Sequence, residues 1–140
     1  MITLLRIASA LPPVCVIICF TATSVAPARA EDELHHVRYT VTADHQDDVD
    51  IYYRDIDPPD WAAYSHNPYL YSPKARAHVG PGQTWTLDVT LADPASWAMV
   101  VASSESGPLT PHLRCTLSVD GVVAAADDRP RGALCSMRTW

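Results

Sequence analysis

Two cysteines, Cys115 and Cys135, constrain this chain more than any other feature of its sequence. They are the only cysteines outside the apolar leader, and the first lies within the stretch LRCTLSVDGVVAAA. The Asp120-Gly121 pair in that stretch stands between alternating apolar residues, which predicts a β-hairpin with a tight two-residue turn. In an exported protein, such a cysteine pair favours a structural disulfide over a reactive site. The pair therefore indicates a small all-β module that folds in an oxidising compartment.

The turn also predicts a pairing register for the hairpin. A two-residue type I′ turn sets three pairs opposite each other, which are Val119–Val122, Leu117–Ala124 and Cys115–Ala126. Cys115 then points inward together with Leu117. Cys135 follows a polar loop, and a disulfide that closes a loop of this length stabilises a fold by about 3 kcal/mol.

The first 30 residues have the parts of a secretory signal peptide. Arg6 precedes an uncharged apolar run, and Ala28-Arg29-Ala30 is an A-x-A cleavage signal. Cleavage would leave a polar start, residues 31–36, and place the protein outside the cell or in the cell envelope. The alternative is an uncleaved inner-membrane anchor over residues 7–26, which is long enough to span a bilayer of about 30 Å. Pro12-Pro13 weighs against that helix, and membrane association is expected only if the leader is retained.

The chain without its leader is acidic. Removing Arg6 and Arg29 leaves eight of the ten basic residues against all sixteen acidic ones, a net charge of −8 with neutral histidines. Such a charge excludes nonspecific nucleic-acid binding, which depends on basic residues. The remaining residues suffice for one domain with its own core, residues 37–140.

Period-2 alternation of apolar and polar residues runs through most of this domain and predicts strands with one buried face. The alternating stretches are residues 37–42, 49–54, 84–91 and 113–119. The polar residues 44–48 between the first two suggest a hairpin loop. Residues 97–102 are apolar on both faces, which predicts a central strand. About seven short strands without a capped amphipathic helix indicate a single immunoglobulin-like β-sandwich.

Residues 56–82 interrupt this regularity with five prolines, which exclude a central strand there. Four aromatic residues lie between the prolines and make an ordered loop or an edge excursion the better interpretation; they are Trp61, Tyr64, Tyr69 and Tyr71. These four side chains are the candidate partner-binding face, because tyrosine and tryptophan dominate interface hot spots. The alternative is that they pack over an open edge of the sandwich.

Residue chemistry gives little support for an enzyme, a metal or a cofactor. His35 and His36 are neighbours on a predicted strand and point to opposite faces, so they chelate one ion poorly, with or without His45. The clusters of aspartates at 47–50 and 55–60 lack EF-hand spacing and its glycine, and solvated turns explain them better. No G-x-S-x-G nucleophile motif occurs. We therefore expect no catalytic residues, no metal and no cofactor.

The order of these strands resembles a known family. The matching stretches are residues 37–42, 48–53, 84–91, 97–103 and 115–123, followed by Cys135. They are similar to the MmpS proteins of mycobacteria, which are small envelope partners of MmpL transporters of the resistance–nodulation–division class. The closest match is the hairpin with its first cysteine, its D-G turn and the second cysteine beyond.

The resemblance implies a non-enzymatic accessory role in which an MmpL-type membrane transporter is the partner and lipids, siderophores or drugs are exported. Two features depart from the family, which is usually held by an uncleaved N-terminal helix behind basic residues. This chain has only Arg6 before its apolar run and a cleavage signal after it, and its insertion at 56–82 is longer. They keep open a second hypothesis, a free secreted recognition module that binds a wall, host or protein partner through its aromatic loop.

Overall fold

The computed structural model describes residues 32–105 and 110–139, and these residues form a β-sandwich. The all-β prediction is confirmed, with eight described strands instead of about seven. The strands are β1 His35–Ala43, β2 Asp47–Tyr53, β3 Lys74–Val79, β4 Trp85–Leu91, β5 Met99–Ser104, β6 His112–Val119, β7 Val122–Pro130 and β8 Gly132–Ser136. The described residues also contain three short helices, which are α1 Trp61–His66, the 3₁₀ helix Pro68–Tyr71 and α2 Pro94–Trp97.

The predicted signal peptide or anchor, residues 1–30, lies outside the described residues. In the part of the chain that is described, no helix has the length and apolar character needed to cross a membrane.

Two four-stranded antiparallel sheets face each other, with strand orders β4-β1-β6-β7 and β3-β2-β5-β8. The apolar residues of the central strands fill the space between the sheets. In β1 these are Val37, Tyr39 and Val41, all fully buried. Cys115 of β6 and Cys135 of β8 are joined across the two sheets by a disulfide with a Cα–Cα distance of 6.0 Å. The disulfide thus links the two layers from inside the core.

The expected hairpin between β1 and β2 is wrong, because the two strands belong to different sheets. β1 pairs with β4 and β6, whereas β2 pairs with β3 and β5. The short polar connection crosses from one sheet to the other, so that Val41 and Val49 are both buried in the core. Alternation shows that each strand has an apolar face, but it does not show which strand pairs with which.

The hairpin of β6 and β7 keeps the predicted turn but not the whole predicted register. Asp120 and Gly121 have φ values of 49° and 82°, and Val119 pairs with Val122 as expected for a type I′ turn. A β-bulge then inserts one extra residue at Ala124. The observed pairs that replace the predicted ones are Leu117–Ala125 and Cys115–Asp127. The bulge exchanges the two faces of β7, which a count from the turn does not reveal.

The insertion at 56–82 is ordered and contains α1, the 3₁₀ helix and the edge strand β3. This agrees with the expected edge excursion and with the exclusion of a central strand. The predicted central strand at 97–102 is β5, which lies between β2 and β8. It begins at Met99, since Trp97 ends the helix α2.

Candidate binding surface

Two short helices present the predicted aromatic residues, and we call residues 61–71 the aromatic segment. Asp60 caps α1, because its carboxylate accepts a hydrogen bond of 2.7 Å from the N–H of Ala63. Asn67 separates α1 from the 3₁₀ helix, which Pro68 starts with a preset φ. Neither helix has a buried residue, so the aromatic segment lies on the outside of the sandwich.

A stack of rings and guanidinium groups attaches the segment to the sandwich. Trp61 stacks on Trp97 with 6.2 Å between ring centroids and an interplanar angle of 18°. Tyr64 contacts both rings, at 5.2 Å from Trp61 and 5.7 Å from Trp97. On the outer side, the guanidinium carbon of Arg138 lies 4.5 Å from the Trp61 ring centroid. On the inner side, that of Arg54 lies 4.4 Å from the Tyr64 ring centroid.

Arg54 is fully buried beneath this stack. Its Nε donates to the carbonyl oxygen of Trp97 at 3.3 Å, and its Nη1 donates to that of Tyr71 at 3.0 Å. Alternation over residues 49–54 puts Arg54 on the polar face of the predicted strand together with Asp50, and the burial of Arg54 shows that this is wrong for its last residue. Arg54 directly follows the last residue of β2, and α1, the 3₁₀ helix and Trp97 cover it.

The hydroxyl of Tyr39 binds the backbone of Arg54 and Met99 beneath the stack. Its hydroxyl donates a hydrogen bond of 2.8 Å to the carbonyl oxygen of Arg54, and it accepts one of 3.4 Å from the N–H of Met99. Burial raises the pKa of the Tyr39 hydroxyl well above its ordinary value, so Tyr39 stays neutral. The backbone at Arg54 is thus fixed by a buried contact from the opposite sheet.

The four predicted aromatic residues divide into packed and exposed members. Tyr64 and Tyr71 are half-buried, and Trp61 is stacked with 47% of its surface exposed. Tyr69 projects from the 3₁₀ helix with 82% exposure, next to Leu70 with 63%. The structure thus combines the two interpretations: most of the segment packs against the sandwich and the Tyr69–Leu70 end faces solvent.

Sequence reasoning did not select Arg54, Trp97, Arg138 or Leu70. Trp97 stands in an apolar run that predicted a strand, and Arg54 continues an alternating strand on its polar side. No local pattern marks these residues, because their roles depend on how the insertion folds back over the end of β2.

The histidines and aspartates that were weighed as metal ligands have other partners. His35 binds Asp120 at 2.7 Å, and His36 binds Asp88 at 2.9 Å, so the neighbouring histidines face different groups. The hydrogen bond that the His35 ring donates to the Asp120 carboxylate raises the pKa of His35 above its ordinary value. His45 pairs with Asp44 at 2.8 Å. Within 32–105 and 110–139, no group of three His, Cys, Asp or Glu residues could hold a metal ion.

The two aspartate clusters lie partly in structured elements instead of solvated turns. Asp48 and Asp50 belong to β2, and their partners lie on the neighbouring strand β3. Asp48 pairs with His78 at 2.9 Å, and Asp50 pairs with Lys74 at 2.8 Å. Asp57 accepts hydrogen bonds from the N–H groups of residues 92 and 93. These carboxylates therefore stabilise the pairing of β2 with β3 and the loop that follows β4.

Comparison with known proteins places the domain in a family. The family model described as the Rv2576c beta-sandwich domain matches residues 39–135. Uncharacterized protein Rv2576c of Mycobacterium tuberculosis (strain ATCC 25618 / H37Rv) is 36% identical over 115 residues, which are 82% of this chain and 74% of that protein. Uncharacterized protein Mb2606c of Mycobacterium bovis matches with the same identity and coverage. The matched interval spans both disulfide cysteines and the aromatic segment, and this chain belongs to the Rv2576c beta-sandwich domain family.

Proposed function

We propose that this protein is an exported, non-enzymatic recognition module of the mycobacterial envelope or exterior that binds its partner through the aromatic segment. The observation that carries the proposal is the exposure of Tyr69 and Leu70, at 82% and 63%, on an ordered helical support. Tyrosine offers a large amphipathic contact area with few rotatable bonds, which suits the centre of an interface.

The stack beneath the segment supports the proposal energetically. Trp61 and Tyr64 are held by Trp97, and the 3₁₀ helix is tied to the sandwich by the bond from Arg54 to the Tyr71 carbonyl. A surface whose shape is fixed before binding loses less conformational entropy when it meets a partner. Less of the binding free energy from Tyr69 and Leu70 is then lost to the entropy cost of ordering the segment.

The experiment compares two double variants of the full chain. Tyr69→Ala/Leu70→Ala removes the exposed end of the aromatic segment, and Val122→Ala/Val123→Ala removes two exposed apolar side chains at the β6–β7 turn as a matched control. Each protein is used to capture partners from mycobacterial envelope extract by crosslinking. We expect the first variant to lose the captured species and the second to keep it, with unchanged melting temperatures. Equal capture by both variants would refute the proposal.

A transport accessory role is the second candidate. The order of the strands, the D-G turn and the second cysteine resemble MmpS proteins, and this resemblance supports an MmpL-type transporter as the partner. Under this proposal the leader is retained as an anchor, and the protein assists export of lipids, siderophores or drugs.

The N-terminus and location of the native protein separate the two candidates. A chain that begins at Glu31 and is recovered from culture medium fits the free recognition module. A chain that begins near Met1 and co-purifies from membranes with a large transporter fits the accessory role. Recovery from the medium alone would refute the transporter proposal.

A further inference from the structure

Arg54 carries a positive charge that the protein leaves uncompensated in its interior. The side chain is fully buried, and its two hydrogen bonds go to neutral carbonyl oxygens. Its Nη2 has no hydrogen-bond partner. In the described ranges, no carboxylate forms an ion pair with it, although eleven other pairs lie at the surface or its margin.

A buried guanidinium is energetically unfavourable unless an anion neutralises its charge. Burying a charged group without a counter-charge is strongly unfavourable, even after the surroundings relax. The rings of Tyr64 and Trp97, at 4.4 and 5.7 Å from the guanidinium carbon, offset only part of this cost. An apolar side chain of similar size would fill the same position without the penalty, so packing alone does not account for an arginine here.

The aromatic segment forms the outer cover over Arg54. Neither α1 nor the 3₁₀ helix has a buried residue, so these helices are closed in the folded state but open at a lower free-energy cost than the core strands. This cover supplies both the Tyr64 ring and the Tyr71 carbonyl that contact the guanidinium. Its displacement would free Nη1 from the Tyr71 carbonyl and expose the unpaired Nη2, whereas Nε would remain bonded to the carbonyl of Trp97 outside the segment.

We propose that Arg54 is the receptor of an oxyanion-binding site, for a carboxylate or a phosphate, beneath the aromatic segment. Two parallel N–H groups of a guanidinium match the two oxygens of such a group, and the pairing is strongest away from water. The Trp97 ring, which lies outside the displaced helices, favours a ligand whose oxyanion is attached to an aromatic or apolar body. The inference rests on the proposed function, because it assigns ligand chemistry to the same surface.

The test is an NMR titration of the full-length protein with three small probes that share one ring. Benzoate and phenyl phosphate carry the two oxyanions, and benzyl alcohol is the neutral control. We expect saturable shifts at the Trp97 indole and the Tyr71 amide with one or both oxyanions, and the tighter one identifies the group. Arg54→Met should weaken binding at least tenfold, whereas Arg114→Met, which removes an exposed guanidinium from β6, should leave it unchanged.

Three results would overturn the inference. They are no saturable shift with either oxyanion, equal affinity of the Arg54→Met variant, and benzyl alcohol binding as tightly as benzoate. If Arg54→Met does not fold, Arg54→Lys keeps the charge but lacks the planar fork, and it should bind at least fivefold more weakly. Unchanged affinity in that variant would also contradict the proposal.

Hydrogen exchange tests the cover independently. The amides of Tyr64 and Asn67 are hydrogen-bonded within α1, and that of Ile51 lies in β2. We expect the α1 amides to exchange at least a hundredfold faster than Ile51 and to slow when the oxyanion binds. Exchange of all three at one rate would mean that the cover opens only when the whole domain unfolds, and the site would then be inaccessible.

Failure of this inference differs from failure of the proposed function. If both oxyanions fail to bind but Tyr69→Ala/Leu70→Ala still abolishes partner capture, the recognition surface stands and the Arg54 site is wrong. If the oxyanion binds but both double variants capture the same partners, the site stands and the recognition surface is wrong.

Discussion

The carboxylate of Asp127 in β7 accepts a hydrogen bond from the backbone N–H of Leu134 in β8, with 3.0 Å between Oδ2 and the nitrogen. The two strands are edge strands of opposite sheets, so this bond closes one open side of the sandwich. The bulge at Ala124 puts Asp127 on the face that reaches β8. Unpaired N–H groups of an edge strand invite pairing with another chain, and Asp127 satisfies one of them.

Replacing Asp127 with alanine should lower the free energy of unfolding by about 1–2 kcal/mol, because the N–H of Leu134 loses its acceptor. The opened edge should also promote concentration-dependent self-association. Urea denaturation measures the first effect and sedimentation velocity the second. Asp55→Ala, which removes an exposed carboxylate outside this contact, should change neither. A monomeric Asp127→Ala protein of wild-type stability would show that the bond has no structural role.

Stability should depend on the ionisation of Asp127 at low pH. The Leu134 N–H and then the Arg129 guanidinium hold the pKa of this carboxyl below its usual value. A pKa that is lower in the folded state contributes stability that is present above the unfolded pKa of about 3.9 and is lost as pH falls through the folded value. We expect Asp127→Asn to lose less stability than wild type as pH falls below about 5, where the carboxyl of the unfolded chain begins to bind protons, as measured by urea midpoints. Parallel curves for the two proteins would contradict this.

Removing the disulfide with Cys115→Ala/Cys135→Ala should cost about 3 kcal/mol, because the bond closes a loop with a sequence separation of 20. Equilibrium urea unfolding of the oxidised protein and of the double variant gives the difference. Wild-type protein kept under reducing conditions is the matched control and should unfold at the midpoint of the variant. The prediction fails if reduction leaves the wild-type midpoint unchanged.

Trp97 and Tyr69 should differ strongly in their effect on stability. Trp97 is 8% exposed and contacts Trp61, Tyr64 and Arg54, so Trp97→Ala should destabilise the domain by about 3 kcal/mol or more. Tyr69→Ala removes a ring that is 82% exposed and should change stability by less than about 0.5 kcal/mol. Thermal melts of both variants give the comparison. A large loss in Tyr69→Ala would mean that its ring is packed and not available to a partner.

The β6–β7 turn should be sensitive to its glycine. Gly121 has a φ of +82°, so Gly121→Ala should cost about 1 kcal/mol through backbone strain alone, because an added Cβ has open space around it. Gly132→Ala is the control, since a Cβ there meets only ordinary contact with the Ala102 carbonyl at 3.5 Å. Urea midpoints should fall for Gly121→Ala and stay close to wild type for Gly132→Ala. Equal midpoints for the two variants would show that the turn relaxes.

The burial of individual strands was predictable where the strand lies inside a sheet. Val37, Tyr39 and Val41 alternate with polar residues, and all three are fully buried in β1. Trp85 and Leu87 follow the same pattern in β4 but are only half-buried. β4 is an edge strand, and an edge position leaves one side of each residue open to solvent. Alternation identifies the inward face, whereas the place of the strand in the sheet sets how completely that face is covered.

The candidate surface was predictable only in part. The prolines and aromatic residues of the insertion indicated an ordered excursion with Trp61, Tyr64, Tyr69 and Tyr71 as its notable side chains. Their separation into packed and exposed residues depends on Trp97, which is far along the chain and stacks on Trp61. Local patterns do not contain that contact, since it arises when α2 and the insertion meet.

By itself the sequence determined the alternating strands β1, β2, β4 and β6, their inward faces and the tight turn at Asp120-Gly121, because alternation and φ preferences act between near neighbours. The tertiary structure alone decided that β1 and β2 belong to different sheets, that the bulge turns Asp127 toward β8, and that the insertion closes over Arg54. These outcomes depend on contacts between residues distant in the chain. Burial of a shared core selects such contacts for the whole domain at once, and no short stretch of residues specifies them.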